Sequence, residues 1–232
     1  IMAKTTPQRR KQQTHARETN WLVIGGLIAI GLLIFGGLIW LALRPTESRT
    51  VQTAAEFCAA NPENCAQIGE SDAPVTMVEV SDFGCIHCTG FHNNTAEDLK
   101  AQFVDNGTMR WVALPYALST TTLPAAAAAM CAGEQDHYFE FADALFAIED
   151  TAVRLSPAGY RQAAETVGAD LDAFQSCLDD GRNIDLVNVN RDVARDNRVS
   201  GTPTFFLNDE TLSGAQPLDV FAQTINSLAA AQ

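Results

Sequence analysis

A strand-like run that leads directly into two closely spaced cysteines constrains the fold of this 232-residue chain more than any other feature. The β-branched run 75–80 comes just before Cys85-Ile86-His87-Cys88, and a helix-like stretch follows as far as Val104. The first turn of a helix has unpaired backbone N–H groups and a positive dipole end, which favour a thiolate at the first cysteine. A second thiol one turn away can attack a mixed disulfide and release its partner. This arrangement predicts a redox-active dithiol.

The segment 21–43 contains no charged residue and is interpreted as a membrane anchor. As a helix it would rise about 34 Å, enough to cross the hydrocarbon core of a bilayer. Trp21 and Trp40 lie near its ends, where aromatic rings favour the headgroup level. A cleaved signal peptide is the alternative, but its apolar region is normally shorter and ends at a small-residue cleavage site. We therefore expect a retained anchor.

Charged residues divide unevenly on the two sides of this segment. Residues 1–20 carry five basic side chains against Glu18 alone, which predicts a cytoplasmic tail. The segment after Arg44 holds 27 of the 28 acidic residues but only 9 of the 15 basic ones. Its formal charge is therefore −18. Such a surface argues against nucleic acid or anionic lipid as a partner. We expect a single-pass protein of the cell membrane with an extracytoplasmic domain, where the six cysteines could pair in 15 ways.

Hydrophobic periodicity and capping residues predict the order strand–helix–strand, several helices, then strand–strand–helix. The predicted elements are strands at 75–80, 109–114 and 204–207 with a hairpin through Leu212, and helices at 86–104, 123–131, 137–148, after Pro157, after Asp170 and at 217–230. This order is typical of an α/β thioredoxin fold, a mixed sheet sandwiched by helices, with a helical insertion at about 119–198. We expect a juxtamembrane linker at 44–72, which gains order near Cys58, and the domain at 73–232.

Several segments together resemble the DsbA-like branch of the thioredoxin-fold oxidoreductases, over roughly residues 70–230. The segments are 78–88, 129–135, 145–146, 199–206 and 212–215. A Cys-x-x-Cys alone is a moderate signal, and the Thr-Pro strand start downstream makes it strong. The chain departs from the family at Ile86, where DsbA-like sites often have proline.

The resemblance assigns roles to the residues of the dithiol. Cys85 would be the attacking thiol, with its pKa lowered by the helix start and by His87. His87 would stabilise the reduced thiolate, which makes the disulfide form a stronger oxidant, unless it is only an exposed histidine. Cys88 would be the buried resolving thiol.

Three further residues are assigned around the dithiol. Pro203 resembles the cis-proline that this fold places against the active-site disulfide, and Thr202 would expose its backbone to an extended substrate. An ordinary trans proline at an edge-strand start is the alternative for Pro203. Glu79 would be the family's buried acid, which relays protons to the resolving thiol. Asp82 is closer to the cysteines, but a turn or cap position explains it.

The other four cysteines are interpreted as structural disulfides. Related proteins often bridge the positions of Cys131 and Cys177, with two buried free thiols as the alternative. Cys58 and Cys65 enclose a turn-rich loop that would let them meet.

The predicted function is donation of the Cys85–Cys88 disulfide to exported thiol-containing polypeptides, without a further cofactor or a metal. The resemblance implies a quinone-linked membrane reoxidase like DsbB or vitamin K epoxide reductase as partner. An isomerase or reductase is the alternative, because isomerase-type relatives often have threonine at the position of Thr202. A metal site at Cys85, Cys88 and His92 has no fourth ligand at finger spacing, and a redox-inert binding domain would tolerate loss of Cys85.

Overall fold

The computed structural model describes residues 20–42 and 51–231. The predicted tail, apart from Asn20, and residues 44–50 of the predicted linker lie outside those ranges. Helix α1, Trp21–Ala42, belongs to one compact unit and residues 51–231 to another, and each is described by itself. Within the described ranges, α1 is the one helix long and apolar enough to cross a membrane, over Trp21–Trp40.

The second unit is a five-stranded mixed sheet with helices on both faces, which confirms the predicted fold class. Its strand order is β1-β3-β2-β4-β5, and only β2 and β3 are parallel. The strands are β1 (Ala66–Ile68), β2 (Val75–Ser81), β3 (Met109–Pro115), β4 (Thr204–Leu207) and β5 (Glu210–Ser213). Parallel β2 and β3 need a crossover connection, which the helix after Cys85 supplies.

The predicted helices occur in the predicted order, and further helices lie at 54–60, 151–154 and 182–196. The α-helices of this unit are α2 (Ala54–Ala60), α3 (Ile86–Phe91), α4 (Glu97–Leu99), α5 (Leu123–Gly133), α6 (Tyr138–Phe146), α7 (Thr151–Arg154), α8 (Pro157–Thr166), α9 (Leu171–Asp180), α10 (Arg182–Asp196) and α11 (Leu218–Ala229). Between β2 and β3 the chain stays helical, because π-helical turns at His92–Ala96 and Lys100–Val104 flank α4. Ser156 and Asp170 cap α8 and α9 through their side chains, as their residue types predict.

Alternation along the central strands creates two hydrophobic clusters, one on each face of the sheet. Met77 and Trp111 point to the larger cluster, with α3, α5, α6, α8, α9 and α11. Val78 and Val112 point to the smaller cluster, with α2 and α10. Because side chains alternate in a strand, Glu79 lies on the same face as Met77 and is 3% exposed. The predicted inward orientation of this acid is therefore present.

Residues 51–72 were assigned to the predicted linker, but the structure packs them on the domain. Thr53 and Glu56 form a capping box at the start of α2, and a short 3-10 helix follows at Pro62–Asn64. The antiparallel pairing of β1 with β3 then adds this segment to the sheet. Three residues are too few to show a hydrophobic period, so the sequence pattern does not reveal this strand.

Both predicted structural disulfides are present in the structure. Cys58–Cys65 joins the end region of α2 to the residue before β1, and Cys131–Cys177 joins α5 to α9. Cys85 and Cys88 remain free thiols. The pairing of the six cysteines therefore leaves only the Cys-x-x-Cys motif available for exchange.

Candidate active site

The dithiol lies where the chain leaves the sheet and enters α3. Cys85 is the N-cap residue of this helix and is partly exposed, whereas Cys88 is completely buried one turn later. The Cys85 Sγ donates to the carbonyl oxygen of Thr202 at 3.3 Å. The Thr202–Pro203 peptide bond is cis, at the start of β4. The structure therefore brings the two cysteines and the Thr-Pro pair together, although Thr202 lies 117 residues from Cys85.

The surroundings of the two thiols shift their pKa values in opposite directions. A hydrogen bond from the Cys88 thiol is the main cause that lowers the pKa of Cys85 to about 5; burial opposes it. Thr202 and the backbone N–H groups of Cys88 and His87 lower the pKa of Cys85 further. Burial, and then the hydrogen bond to Cys85, raise the pKa of Cys88. The site therefore holds one partly exposed thiol that ionises readily to the nucleophilic thiolate and one buried thiol.

The structure places the backbone N–H of His87 at the dithiol. Its backbone N–H lowers the pKa of Cys85, while its side chain is exposed to solvent. Ile86, the residue in place of the family's usual proline, is 75% exposed. Both side chains between the cysteines are thus available to a docking partner.

The buried acid Glu79 is held by three polar side chains. Its Oε2 accepts from the Trp111 indole N–H at 3.0 Å, and its Oε1 accepts from the Ser81 hydroxyl. The same Oε1 lies 3.0 Å from Nε2 of His92, a residue that the sequence analysis considered only as a metal ligand. These contacts offset the cost of burying a carboxylate next to the active-site helix.

His92 is the residue beside the site whose contacts the sequence analysis missed. Its other ring nitrogen, Nδ1, lies 3.0 Å from Oδ1 of Asp143 on α6, and its ring stacks on Phe146 at 4.2 Å. The two carboxylates thus occupy both ring nitrogens, which leaves neither for a metal shared with Cys85 and Cys88. Among residues 20–42 and 51–231, no group of three or more His, Cys, Asp or Glu residues is placed to hold a metal ion.

Asp82 has the structural role that its turn position predicts. Its Oδ1 accepts from the Gly84 N–H at 2.7 Å, and its Oδ2 accepts from the Leu118 N–H and the Thr122 hydroxyl, each at 2.6 Å. The carboxylate is 1% exposed. Asp82 therefore ties the loop before Cys85 to the start of the helical insertion.

We expect Asp82→Asn to lower the free energy of unfolding by about 1–3 kcal/mol. An amide would turn its NH₂ group toward one of the N–H or hydroxyl donors and leave that buried donor unpaired. Urea unfolding measures the change, with Asp105→Asn at an exposed position as the matched control. Equal midpoints for the two variants would contradict this role.

The fold and the site together define a thioredoxin-fold protein with a dithiol at a helix start. Comparisons with known proteins agree with this class. The family model described as Thioredoxin matches residues 61–227. The chain therefore belongs to the thioredoxin family.

Solved structures share this fold. The α-DsbA1 crystal structure of Wolbachia pipientis has a TM-score of 0.65 at 25% identity, and the match covers 72% of this chain and 92% of that one. BdbD of Bacillus subtilis, in its oxidised form, has a TM-score of 0.66 at 20% identity, with 72% and 94% covered. At that identity the second likeness supports the fold alone.

Curated sequences give relatives of two kinds. The Na(+)/H(+) antiporter NhaA 3 of Salinispora tropica is 33% identical over 162 residues, which are 68% of this chain and 24% of that protein. A Rickettsia bellii protein, provisionally named a protein-disulfide oxidoreductase, is 25% identical over 151 residues, covering 63% and 58%. The chain thus spans about a quarter of the antiporter and somewhat more than half of the Rickettsia protein.

Proposed function

We propose that this protein donates the Cys85–Cys88 disulfide to exported polypeptides on the outer side of the cell membrane. The observation that carries the proposal is the geometry of the dithiol: Cys85 is partly exposed at the N-cap of α3, and Cys88 is buried one turn later. These surroundings lower the pKa of Cys85 to about 5 and raise that of Cys88. A stabilised thiolate favours the reduced dithiol, and this makes the disulfide form a stronger oxidant.

The reaction proceeds through a mixed disulfide. A substrate thiolate attacks the Cys85 sulfur, a substrate–Cys85 bond forms, and the Cys85–Cys88 bond breaks with Cys88 leaving as a thiolate that takes up a proton. A second substrate thiolate then attacks the substrate sulfur of the mixed disulfide and releases Cys85 as a thiolate. The substrate has lost two electrons and the dithiol has gained them. The low pKa of Cys85 makes it a good leaving group in this last step.

Substrate docking would use the strand start beside the dithiol. The Thr202 carbonyl already accepts from the Cys85 sulfur at 3.3 Å, so an extended chain paired with this backbone would lie against the reacting atom. A quinone-linked membrane reoxidase resembling DsbB or vitamin K epoxide reductase would remove the two electrons.

The proposed location rests on the apolar helix and on charge. Helix α1 would span the membrane once, with the basic residues 1–20 in the cytoplasm. Two disulfides in the domain fit an oxidising compartment.

A disulfide isomerase or reductase of the same fold is the second candidate. Thr202 favours it, because isomerase-type relatives often have threonine at this position, and here its side chain lies beside both sulfurs. The two candidates differ in reduction potential rather than in architecture.

Two measurements on the chain in detergent test the proposal. Because the thiolate is the reactive form, alkylation of Cys85 should be half-maximal near pH 5. Equilibration with glutathione should give a reduction potential nearer the −120 mV of DsbA than the −270 mV of thioredoxin, both approximate values. A potential near that of thioredoxin would favour the reductase. Half-maximal alkylation at about pH 8.5, the value of an ordinary thiol, would overturn the proposal.

A further inference from the structure

His92 joins three parts of the molecule through one buried ring. Its side chain is 5% exposed and links Glu79 on β2, at 4% exposure, to Asp143 on α6, at 57% exposure. The sequence separations are 13 and 51 residues. A buried histidine with a carboxylate on each nitrogen can donate both ring N–H groups, which favours the doubly protonated imidazolium.

Helix geometry places this ring beside the resolving cysteine. The His92 N–H donates to the Cys88 carbonyl, so the two residues are one turn apart on the same helix face. Their Cβ atoms are therefore about 5–6 Å apart, and a helical side chain leans toward the preceding turn. Since Glu79 and Asp143 occupy both ring nitrogens, a proton leaving the ring toward the dithiol must pass through Glu79.

The charges around the ring keep it protonated at neutral pH. Burial alone would lower the pKa of His92, but the charge of Glu79 and hydrogen bonds to Asp143 and Glu79 raise it to about 9. Tyr138 on α6 also faces Glu79, and burial followed by that charge raises its pKa, so it stays neutral. Together with Cys88 on α3, these are the titratable groups around the ring.

We propose that His92 stores the proton that Cys88 takes up on leaving the disulfide, with Glu79 passing the proton and Asp143 orienting the ring. The inference rests on the proposed function and adds to it two positioning residues, His92 and Asp143.

One proton enters from solvent for each disulfide that is reduced. When the Cys85–Cys88 bond breaks, the Cys88 thiolate takes a proton from Glu79, which takes one from Nε2 of His92. The immediate products are a Cys88 thiol, an ionised Glu79 and a neutral imidazole whose Nδ1–H still donates to Asp143. Because the pKa of His92 is about 9 when both cysteines are free thiols, the imidazole then regains a proton from solvent. During reoxidation the ionised Glu79 takes the proton of Cys88, the Cys88 thiolate attacks the Cys85 sulfur of the mixed disulfide with the reoxidase, and one proton leaves to solvent.

One experiment with an aromatic disulfide distinguishes the reaction of Cys85 from that of Cys88. The reduced chain in detergent reacts with 5,5′-dithiobis(2-nitrobenzoate): attack by Cys85 releases the first coloured thiolate, and attack by Cys88 on the mixed disulfide releases the second. We expect His92→Gln to slow the second release at pH 7 by at least about tenfold, and to make it rise with hydroxide concentration. The first release should change by less than about twofold, since it does not use the stored proton.

Asp143→Asn is the second variant, because its exposed side chain can change without disturbing the core. It keeps a hydrogen-bond acceptor for Nδ1 but removes the charge, so the second release should slow at pH 7 by less than in His92→Gln. Glu140→Gln, exposed on the same helix, is the matched control and should leave both releases unchanged.

The outcomes distinguish this inference from the proposed function. A purely structural role for His92 would slow both releases or neither and leave the pH profile of the second unchanged, which would overturn the inference. If the unsubstituted chain releases no coloured thiolate at all, the proposed function fails and the inference fails with it.

Discussion

Cys85→Ser should lower the rate of disulfide exchange by a factor of about 1,000 or more. The hydroxyl of serine is not ionised at neutral pH, whereas the pKa of Cys85 is lowered to about 5, so the nucleophile is lost completely. Oxidation of a peptide with two thiols, by the chain in detergent, measures the rate. The fold should survive, since Cys85 is only partly buried and serine can also cap a helix.

Cys88→Ser is the matched variant and should behave differently. Cys85 would still form a mixed disulfide, but nothing inside the protein could resolve it, so the adduct should accumulate and be visible by mass. Exchange at an undiminished rate in Cys85→Ser would contradict the assignment of the nucleophile. It would instead support a redox-inert binding domain.

The centre of the site could be predicted from the sequence because its signals are local. A strand, two cysteines one turn apart and a helix follow one another without a gap, and the strand period orients Glu79. The cis bond before Pro203 came from family resemblance, since proline alone predicts little about its isomer. These residues form the part of the site that short-range sequence patterns can predict.

The contacts between the thioredoxin core and the insertion could not be predicted in this way. His92 meets Asp143 across 51 residues, and that contact depends on how α6 packs against the active-site helix. A histidine four residues after a cysteine on a helix was considered for zinc instead. The signal that could have identified it is the cost of a buried carboxylate, because Glu79 needs a nearby cation or donor.

Replacing Phe91 with alanine should lower the free energy of unfolding by about 3–5 kcal/mol, the usual cost for a buried phenylalanine. The ring is 1% exposed and meets the rings of Phe205, Phe221 and Trp111 at centroid distances of 4.6, 5.6 and 5.9 Å. It therefore joins the helix that carries Cys88 to β4, which follows Pro203, and to α11. At about 2–4 °C per kcal/mol for a domain of this size, the melting temperature should fall by roughly 6–20 °C.

Thermal unfolding of the chain in detergent, followed by near-ultraviolet circular dichroism, measures this loss. Leu118→Ala is the control, because that side chain is 50% exposed and its truncation should change stability by less than about 0.5 kcal/mol. Because Phe91 holds the first turns of α3 against β4, its loss should also loosen the contact between Cys85 and Thr202. The pKa of Cys85 should then move back toward that of a free thiol, even at temperatures where the variant is folded. A stability change below about 1 kcal/mol would show that the aromatic cluster does not hold the active-site helix in place.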